Sequence, residues 1–181
     1  MRQSRLSKLN FMALCCVLGL FTKKLINPLA NVITEALHIP GGISTGFSIM
    51  FLVIATELVC MEGSGTIMGT VQGFLALVMG RIGSMGIFAP IGYLVPGMCV
   101  DLVYRFRETL KLSQLERMVL ANALAAVMAS VTANLIVFRL SGPVLWLYLC
   151  VSATSGTLYG FLGSVIVTRV RAGIFYQYQT N

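Results

Sequence analysis

The sequence predicts an all-α integral membrane protein: a bundle of six transmembrane helices with cytoplasmic N and C termini and an extracellular lid loop after the first helix. Hydrophobic residues make up 57% of the chain and charged residues 10%, against roughly a quarter charged in soluble domains. Mean hydropathy is +0.87. Charges fall between the apolar runs, not in one patch, so we expect a single membrane domain over residues 1–181 and no nucleic-acid surface.

Six apolar segments approach the roughly 20 residues that a spanning helix needs. They are Leu9–Ile26, Gly46–Met61, Thr66–Gly80, Met85–Tyr104, Met118–Phe138 and Val144–Val167. The first starts like a signal peptide, but Lys23 and Lys24 follow it and no small-residue cleavage site does, so we predict a retained helix. The second and third are short, at about 24 and 22 Å. A re-entrant third segment would invert everything after it.

Positive charge supports six spans, because short cytoplasmic loops collect Lys and Arg. With both termini inside, nine basic residues lie in the cytoplasm and four outside. The nine are Arg2, Arg5, Lys8, Arg105, Arg107, Lys111, Arg117, Arg169 and Arg171, and the four are Lys23, Lys24, Arg81 and Arg139. Residues 105–117 then form the main cytoplasmic loop, and residues 27–42 lie outside.

Residues 27–42 predict a short outer helix bounded by breaks in the chain. Pro28, Pro40, Gly41 and Gly42 argue against a continuation of the first helix. Between the prolines, apolar residues recur on one helical face and Asn27, Asn31, Glu35 and His38 on another. The segment is either a lid over the mouth of the bundle or an amphipathic helix lying on the outer leaflet.

Polar and aromatic residues on the lid side are the candidates for substrate binding, since polar groups inside a membrane are costly. Together with the lid they give the set Asn31, Glu35, His38, Gln72, Tyr93, Asn134, Trp146 and Tyr148. The aromatic members equally fit a belt at the headgroups. In the inner halves, Asp101 is predicted to pair with Arg105 at spacing four, and the sequence offers no explanation for Glu57.

Small residues form stripes at spacing four in four of the spans, as close helix packing in membranes requires. The stripes are Cys15 and Gly19; Gly69 and Gly73; Ala121, Ala125, Ala129 and Ala133; and Ser152, Gly156, Gly160 and Ser164. They serve packing within the bundle or a face for a second membrane subunit. The five cysteines lack metal-ligand spacing, and we interpret them as small packing residues.

The sequence contains no Walker A pattern for nucleotide hydrolysis and no H-E-x-x-H zinc motif. We therefore expect a non-catalytic binding subunit, without a metal or cofactor, that is powered by other proteins.

Residues 46–83, GFSIMFLVIATELVCMEGSGTIMGTVQGFLALVMGRIG, carry a resemblance to a known family. An apolar span, a tight turn with small residues before "GT", and then "GxxxGxLALxMG" resemble the S components of energy-coupling-factor (ECF) vitamin transporters. These are the substrate-binding membrane subunits of ATP-driven importers. The resemblance is strongest to the branch that handles thiamine and its hydroxymethylpyrimidine precursor.

The resemblance implies a multi-pass protein of a prokaryotic plasma membrane that works with a transmembrane coupling subunit and two cytoplasmic ATPase subunits. Docking on the coupling subunit would use a small-xxx-small face of the first helix, here Ala13, Cys15 and Gly19, although no Ala-xxx-Ala occurs there. A vitamin-like substrate would lie under the lid among the residues named above. A cationic thiazolium would contact Glu35 and Trp146, whereas a neutral pyrimidine would need mainly the amides.

Two other functions stay open. One is an ECF S component for haem or another porphyrin, with His38 or a methionine ligating iron. The other is a membrane-embedded enzyme that uses Glu35 and His38 as acid and base, which their spacing of three allows on one helical face.

Overall fold

The computed structural model describes residues 5–36, 43–80 and 83–179. Within these ranges the chain is all-helical, with six α-helices and no strand. The helices are α1 (Arg5–Ala36), α2 (Ile43–Val59), α3 (Ser64–Val78), α4 (Ala89–Arg105), α5 (Gln114–Ala133) and α6 (Pro143–Gln179). A 3-10 segment, Gly83–Phe88, precedes α4, and a π-helical segment, Asn134–Phe138, follows α5.

Three stretches of helix are long and apolar enough to cross a bilayer: Met85–Arg105, Gln114–Phe138 and Pro143–Ala172. Shorter apolar helices accompany them, at Leu6–Thr22, Ile43–Val59 and Ser64–Val78. With 15 residues, α3 is about 22 Å long, whereas the hydrocarbon core of a bilayer is about 30 Å thick. Length and composition therefore make the chain a membrane protein, and each of the six predicted segments falls on a helix.

Hydrogen bonds between helix ends show that neighbouring helices alternate in direction. Lys8, near the start of α1, donates to the carbonyl that ends α2 at 2.9 Å. Asp101, near the end of α4, binds the first turn of α3. Arg117 at the start of α5 and Arg171 on α6 both reach Glu57 of α2. These helix ends share one side of the bundle, which we name the charged end; the opposite side is the distal end.

The centre of the bundle is α2, which buries most of its residues against its neighbours. Asn122 of α5 is fully buried and ties three helices together there. Its side-chain amide donates to the Gly46 carbonyl of α2 at 3.2 Å and to the Gly156 carbonyl of α6 at 2.7 Å. One polar side chain in the core therefore sets the relative height of α2, α5 and α6.

Two of the predicted small-residue stripes bring helix backbones into direct contact. A Cβ atom at Gly69 of α3 would lie 2.5 Å from the Tyr93 carbonyl oxygen of α4, and one at Gly73 would lie 2.7 Å from Pro90 Cα. On α6, a Cβ at Gly156 would meet α5 backbone at 2.8 Å. Real Cβ contacts are longer than this, so only glycine fits and these faces are filled within the chain.

The structure corrects the prediction for residues 27–42. Helix α1 continues through Ala36, so residues 27–36 form neither a lid loop nor a separate short helix, and Pro28 lies inside a helix. A proline removes one N–H from the helical ladder and leaves the bonds on either side, which membrane helices tolerate. Pro96 lies inside α4 in the same way. His38 and the rest of residues 37–42 lie outside the described residues.

Candidate functional site

The charged end contains a buried carboxylate held by two guanidinium groups. Glu57 is only 3% exposed. Arg117 Nε donates to Glu57 Oε2 at 3.0 Å and Arg117 Nη2 to Oε1 at 2.8 Å, a bidentate pair. Arg171 Nη2 also donates to Oε1, at 3.0 Å. Charge-assisted bonds of this kind are about twice as strong as neutral ones, so this ion cluster joins α2, α5 and α6.

A second layer of polar contacts orients the two arginines. Arg171 Nη1 donates to Gln114 Oε1 at 2.6 Å, and Gln114 Nε2 donates to Thr168 Oγ1 at 3.3 Å. Arg117 lies over the ring of Tyr104, with 5.5 Å between its Cζ atom and the ring centroid, a cation–π contact. With two cations on one anion, the cluster keeps one net positive charge. Among the described residues, no three His, Cys, Asp or Glu side chains gather as a metal site would require.

Asp101 of α4 caps the N-terminus of the neighbouring helix α3. Its Oδ1 accepts the Gly65 N–H at 2.8 Å, and its Oδ2 accepts both the Thr66 N–H at 2.7 Å and the Thr66 hydroxyl at 2.6 Å. The first amides of a helix have no partner inside it and carry partial positive charge. Asp101 therefore binds the amides of α3 rather than Arg105, the partner that the sequence predicted. Arg105 belongs to none of the ion pairs found among the described residues.

At the distal end, Asn134 holds the turn between α5 and α6. Its Oδ1 accepts the Leu140 N–H at 2.7 Å, and its Nδ2 donates to the Leu140 carbonyl at 3.4 Å. Arg139, in the left-handed region with φ 49°, donates its N–H to the Asn134 carbonyl at 2.8 Å. Tyr148 is buried beside this turn, edge-on to Phe138 with 6.2 Å between ring centroids. Asn134 and Tyr148 therefore lie in one region, but both are engaged in packing the turn.

The other candidate substrate residues are dispersed. Gln72 is buried and donates to the Cys16 carbonyl of α1 at 3.4 Å. Tyr93 is half-buried on the distal part of α4, Glu35 is exposed in the last turn of α1, and Trp146 is 70% exposed on α6. Asn31 belongs to α1 by its backbone, and its side chain is not among those described. The residues share the distal half of the bundle without forming one described cavity.

The predicted docking residues of α1 divide between two faces. Ala13 is exposed, whereas Cys15 and Gly19 are buried. A Cβ at Gly19 would lie 2.8 Å from Gln72 Nε2 and 3.3 Å from the Ser48 carbonyl oxygen, so α2 and α3 occupy this position. The expected docking face at Cys15 and Gly19 is covered by the chain's own helices.

An apolar groove of about 450 Å³ runs along the outside of α6, between Ile43, Val151 and Leu162. None of the candidate substrate residues lines it. Its walls are mostly aliphatic and aromatic side chains of the kind that face acyl chains.

Sequence reasoning missed Arg117, Arg171 and Gln114 as members of the ion cluster, since it counted the arginines only as loop charge. The signal that could have found them was Glu57 itself. A carboxylate in an apolar span usually pairs with another charged or polar group at the same depth. The basic residues nearest to it on that side of the predicted bundle are Arg117 at the start of α5 and Arg169 and Arg171 on α6.

Comparison of the chain with protein-family models, with curated proteins and with solved structures finds no match.

Proposed function

We propose that this protein is the substrate-binding subunit of an ECF-type importer for a vitamin-like micronutrient, with thiamine or its hydroxymethylpyrimidine precursor as the favoured cargo. The observation that carries the proposal is the division of the bundle into two unlike ends. All six described helices take part in hydrogen bonds of charged side chains at one end, whereas the candidate substrate residues lie toward the other. A bundle whose helices are joined at the charged end, with candidate substrate residues at the distal end, suits a subunit that binds a small molecule and is driven by partner proteins.

In this proposal the six helices all span the plasma membrane of a prokaryote, and the charged end faces the cytoplasm with both termini. The basic residues of the loops support that orientation, because the positive-inside rule assigns the Lys- and Arg-rich side to the cytoplasm. The two cytoplasmic ATPases would then lie on the side of the ion cluster, and the transmembrane coupling subunit would lie beside the bundle in the bilayer. With Cys15 and Gly19 buried, the exposed side of α1 around Ala13 is the part of the expected docking face that a partner can reach.

Substrate binding in this proposal depends on Glu35 and Trp146, which are exposed among the candidates whose side chains the structure describes. A carboxylate and an indole ring together suit a cationic aromatic ligand, through charge pairing and cation–π contact. His38, another residue of the candidate set, lies outside the described residues.

The test is ligand binding by the chain purified alone in detergent, followed by Trp146 fluorescence and thermal shift. The panel contains thiamine, hydroxymethylpyrimidine, riboflavin, biotin, cobalamin and haem. A ligand that binds only the folded state at a hundredfold excess over Kd stabilises it by about 2.7 kcal/mol. We expect one compound to bind, with the affinity lost in Glu35→Ala and retained in the control Glu62→Ala, an exposed carboxylate at the charged end. Binding of none of the compounds would refute the proposal.

A further inference from the structure

The connection between α4 and α5 exposes apolar and basic side chains together. In residues 105–112, which we name the amphipathic loop, Phe106 is 48% and Leu110 55% exposed. Three basic residues around them, Arg105, Arg107 and Lys111, are exposed as well. Apolar surface that is exposed to water is unfavourable in proportion to its area. Two large apolar side chains exposed within eight residues therefore indicate that an apolar partner covers them.

Backbone hydrogen bonds give the amphipathic loop a defined shape. The Leu110 N–H donates to the Phe106 carbonyl at 3.0 Å, and the Leu112 N–H donates to the Arg107 carbonyl at 3.3 Å. The bond between positions 106 and 110 places these two side chains on the same side of a single turn. Leu112 packs against the core of the bundle, so the loop is anchored where it enters α5.

The position of the amphipathic loop decides which partner fits it. The loop directly joins two stretches that are long and apolar enough to cross a bilayer, Met85–Arg105 and Gln114–Phe138. It therefore lies at the level of the headgroups of one leaflet. Apolar side chains flanked by Lys and Arg are the pattern by which interfacial segments bind anionic membranes. Glu108 is the one acidic residue of the loop and lies 3.8 Å from Arg107, so the loop keeps an excess of positive charge.

We propose that the amphipathic loop is a binding surface for anionic phospholipid, with Phe106 and Leu110 inserted between acyl chains and Arg105, Arg107 and Lys111 on the headgroup phosphates. This inference does not depend on the proposed transport function. It depends only on the membrane spans and on the exposed side chains of the loop.

The test places a fluorophore in the loop of the full-length chain. Phe106→Trp is combined with Trp146→Phe, because Trp146 is the one native tryptophan, and the protein is reconstituted into phosphatidylcholine vesicles with a minor fraction of phosphatidylglycerol. Bromine on the acyl chains of one lipid at a time quenches tryptophan that touches that lipid. We expect stronger quenching by brominated phosphatidylglycerol than by brominated phosphatidylcholine at equal mole fraction, and less of this preference at high salt.

Charge variants separate the loop from the rest of the chain. Each of Arg105→Gln, Arg107→Gln and Lys111→Gln should lower the preference for the anionic lipid by about fivefold, and Glu108→Gln should raise it. Arg139→Gln, which removes an exposed cation at the distal end, should leave it unchanged. Equal quenching by the two lipids would overturn the proposal. Protection from both lipids would also overturn it, because the loop would then be covered by protein, such as a second copy of the chain.

Discussion

Glu57 is the residue whose replacement tests the structure most directly. In Glu57→Gln, the side chain keeps its size but loses the charge that Arg117 and Arg171 bind at 2.8 to 3.0 Å. The amide can still accept a bond from one guanidinium at its oxygen, while its NH₂ group opposes the other. Two arginines are then left close together at the charged end without a counter-ion.

The expected cost follows from how far each arginine can reach water. Breaking a buried ion pair by removing one partner destabilises a protein by about 3–5 kcal/mol. The side chain of Arg171 is 39% exposed and that of Arg117 16%, so part of the lost charge pairing is replaced by hydration, and we expect about 3 kcal/mol. For a chain of this size, that corresponds to a fall of about 6–12 °C in the unfolding midpoint.

The assay is thermal unfolding of the purified chain in detergent, at one protein concentration and one heating rate. Glu62→Gln is the matched control, because Glu62 is an exposed carboxylate in the following turn, and its loss should change the stability by less than about 0.5 kcal/mol. Glu57→Gln combined with Arg117→Gln should cost less than the sum of the two single changes, since both remove the same contact. Equal midpoints for Glu57→Gln and Glu62→Gln would refute the existence of the ion cluster.

Three further substitutions probe the helix contacts by the same unfolding measurement. Asp101→Ala leaves the first amides of α3 without acceptors and should cost about 1–2 kcal/mol; a stability equal to that of the unchanged chain would contradict this cap. Gly69→Val drives a side chain into the α4 backbone and should cost about 3 kcal/mol or more, whereas Thr70→Val, one position along on the exposed side, should be nearly neutral; similar effects of the two would contradict the glycine contact. Asn134→Leu removes both bonds to Leu140 and should cost about 1–3 kcal/mol, and an unchanged midpoint would mean that the turn does not need them.

The all-helical fold could be predicted because membrane spans depend on the length and polarity of single segments. Each of the six predicted segments falls on a helix, although α1 and α6 extend beyond their predicted ends. The continuation of α1 through Pro28 could not be predicted from the breaks in the sequence. Local propensity disfavours proline inside a helix, but membrane helices tolerate it.

The contacts of the charged residues could not be predicted, because they depend on the relative heights of helices that are distant in sequence. Glu57 is 60 residues from Arg117 and 114 from Arg171, and no spacing rule relates them. Asp101 shows the limit of a local rule. Its spacing of four to Arg105 would allow a helical ion pair, but its carboxylate instead accepts hydrogen bonds from the first amides of α3. The substrate-binding role of the candidate residues stays a prediction. The sequence predicted the end of the bundle at which they lie, but it could not predict which face of each helix they occupy.

The cap of α3 by Asp101 has a consequence for how the chain is inserted into the membrane. A ribosome releases α3 before α4, so the carboxylate that satisfies the amides of Gly65 and Thr66 is synthesised about 35 residues after them. At 15 residues, α3 is also shorter than the hydrocarbon core is thick, so its insertion alone is unfavourable. We therefore expect the two helices to enter the bilayer together as one hairpin, and a chain truncated before Asp101 to leave α3 at the membrane surface.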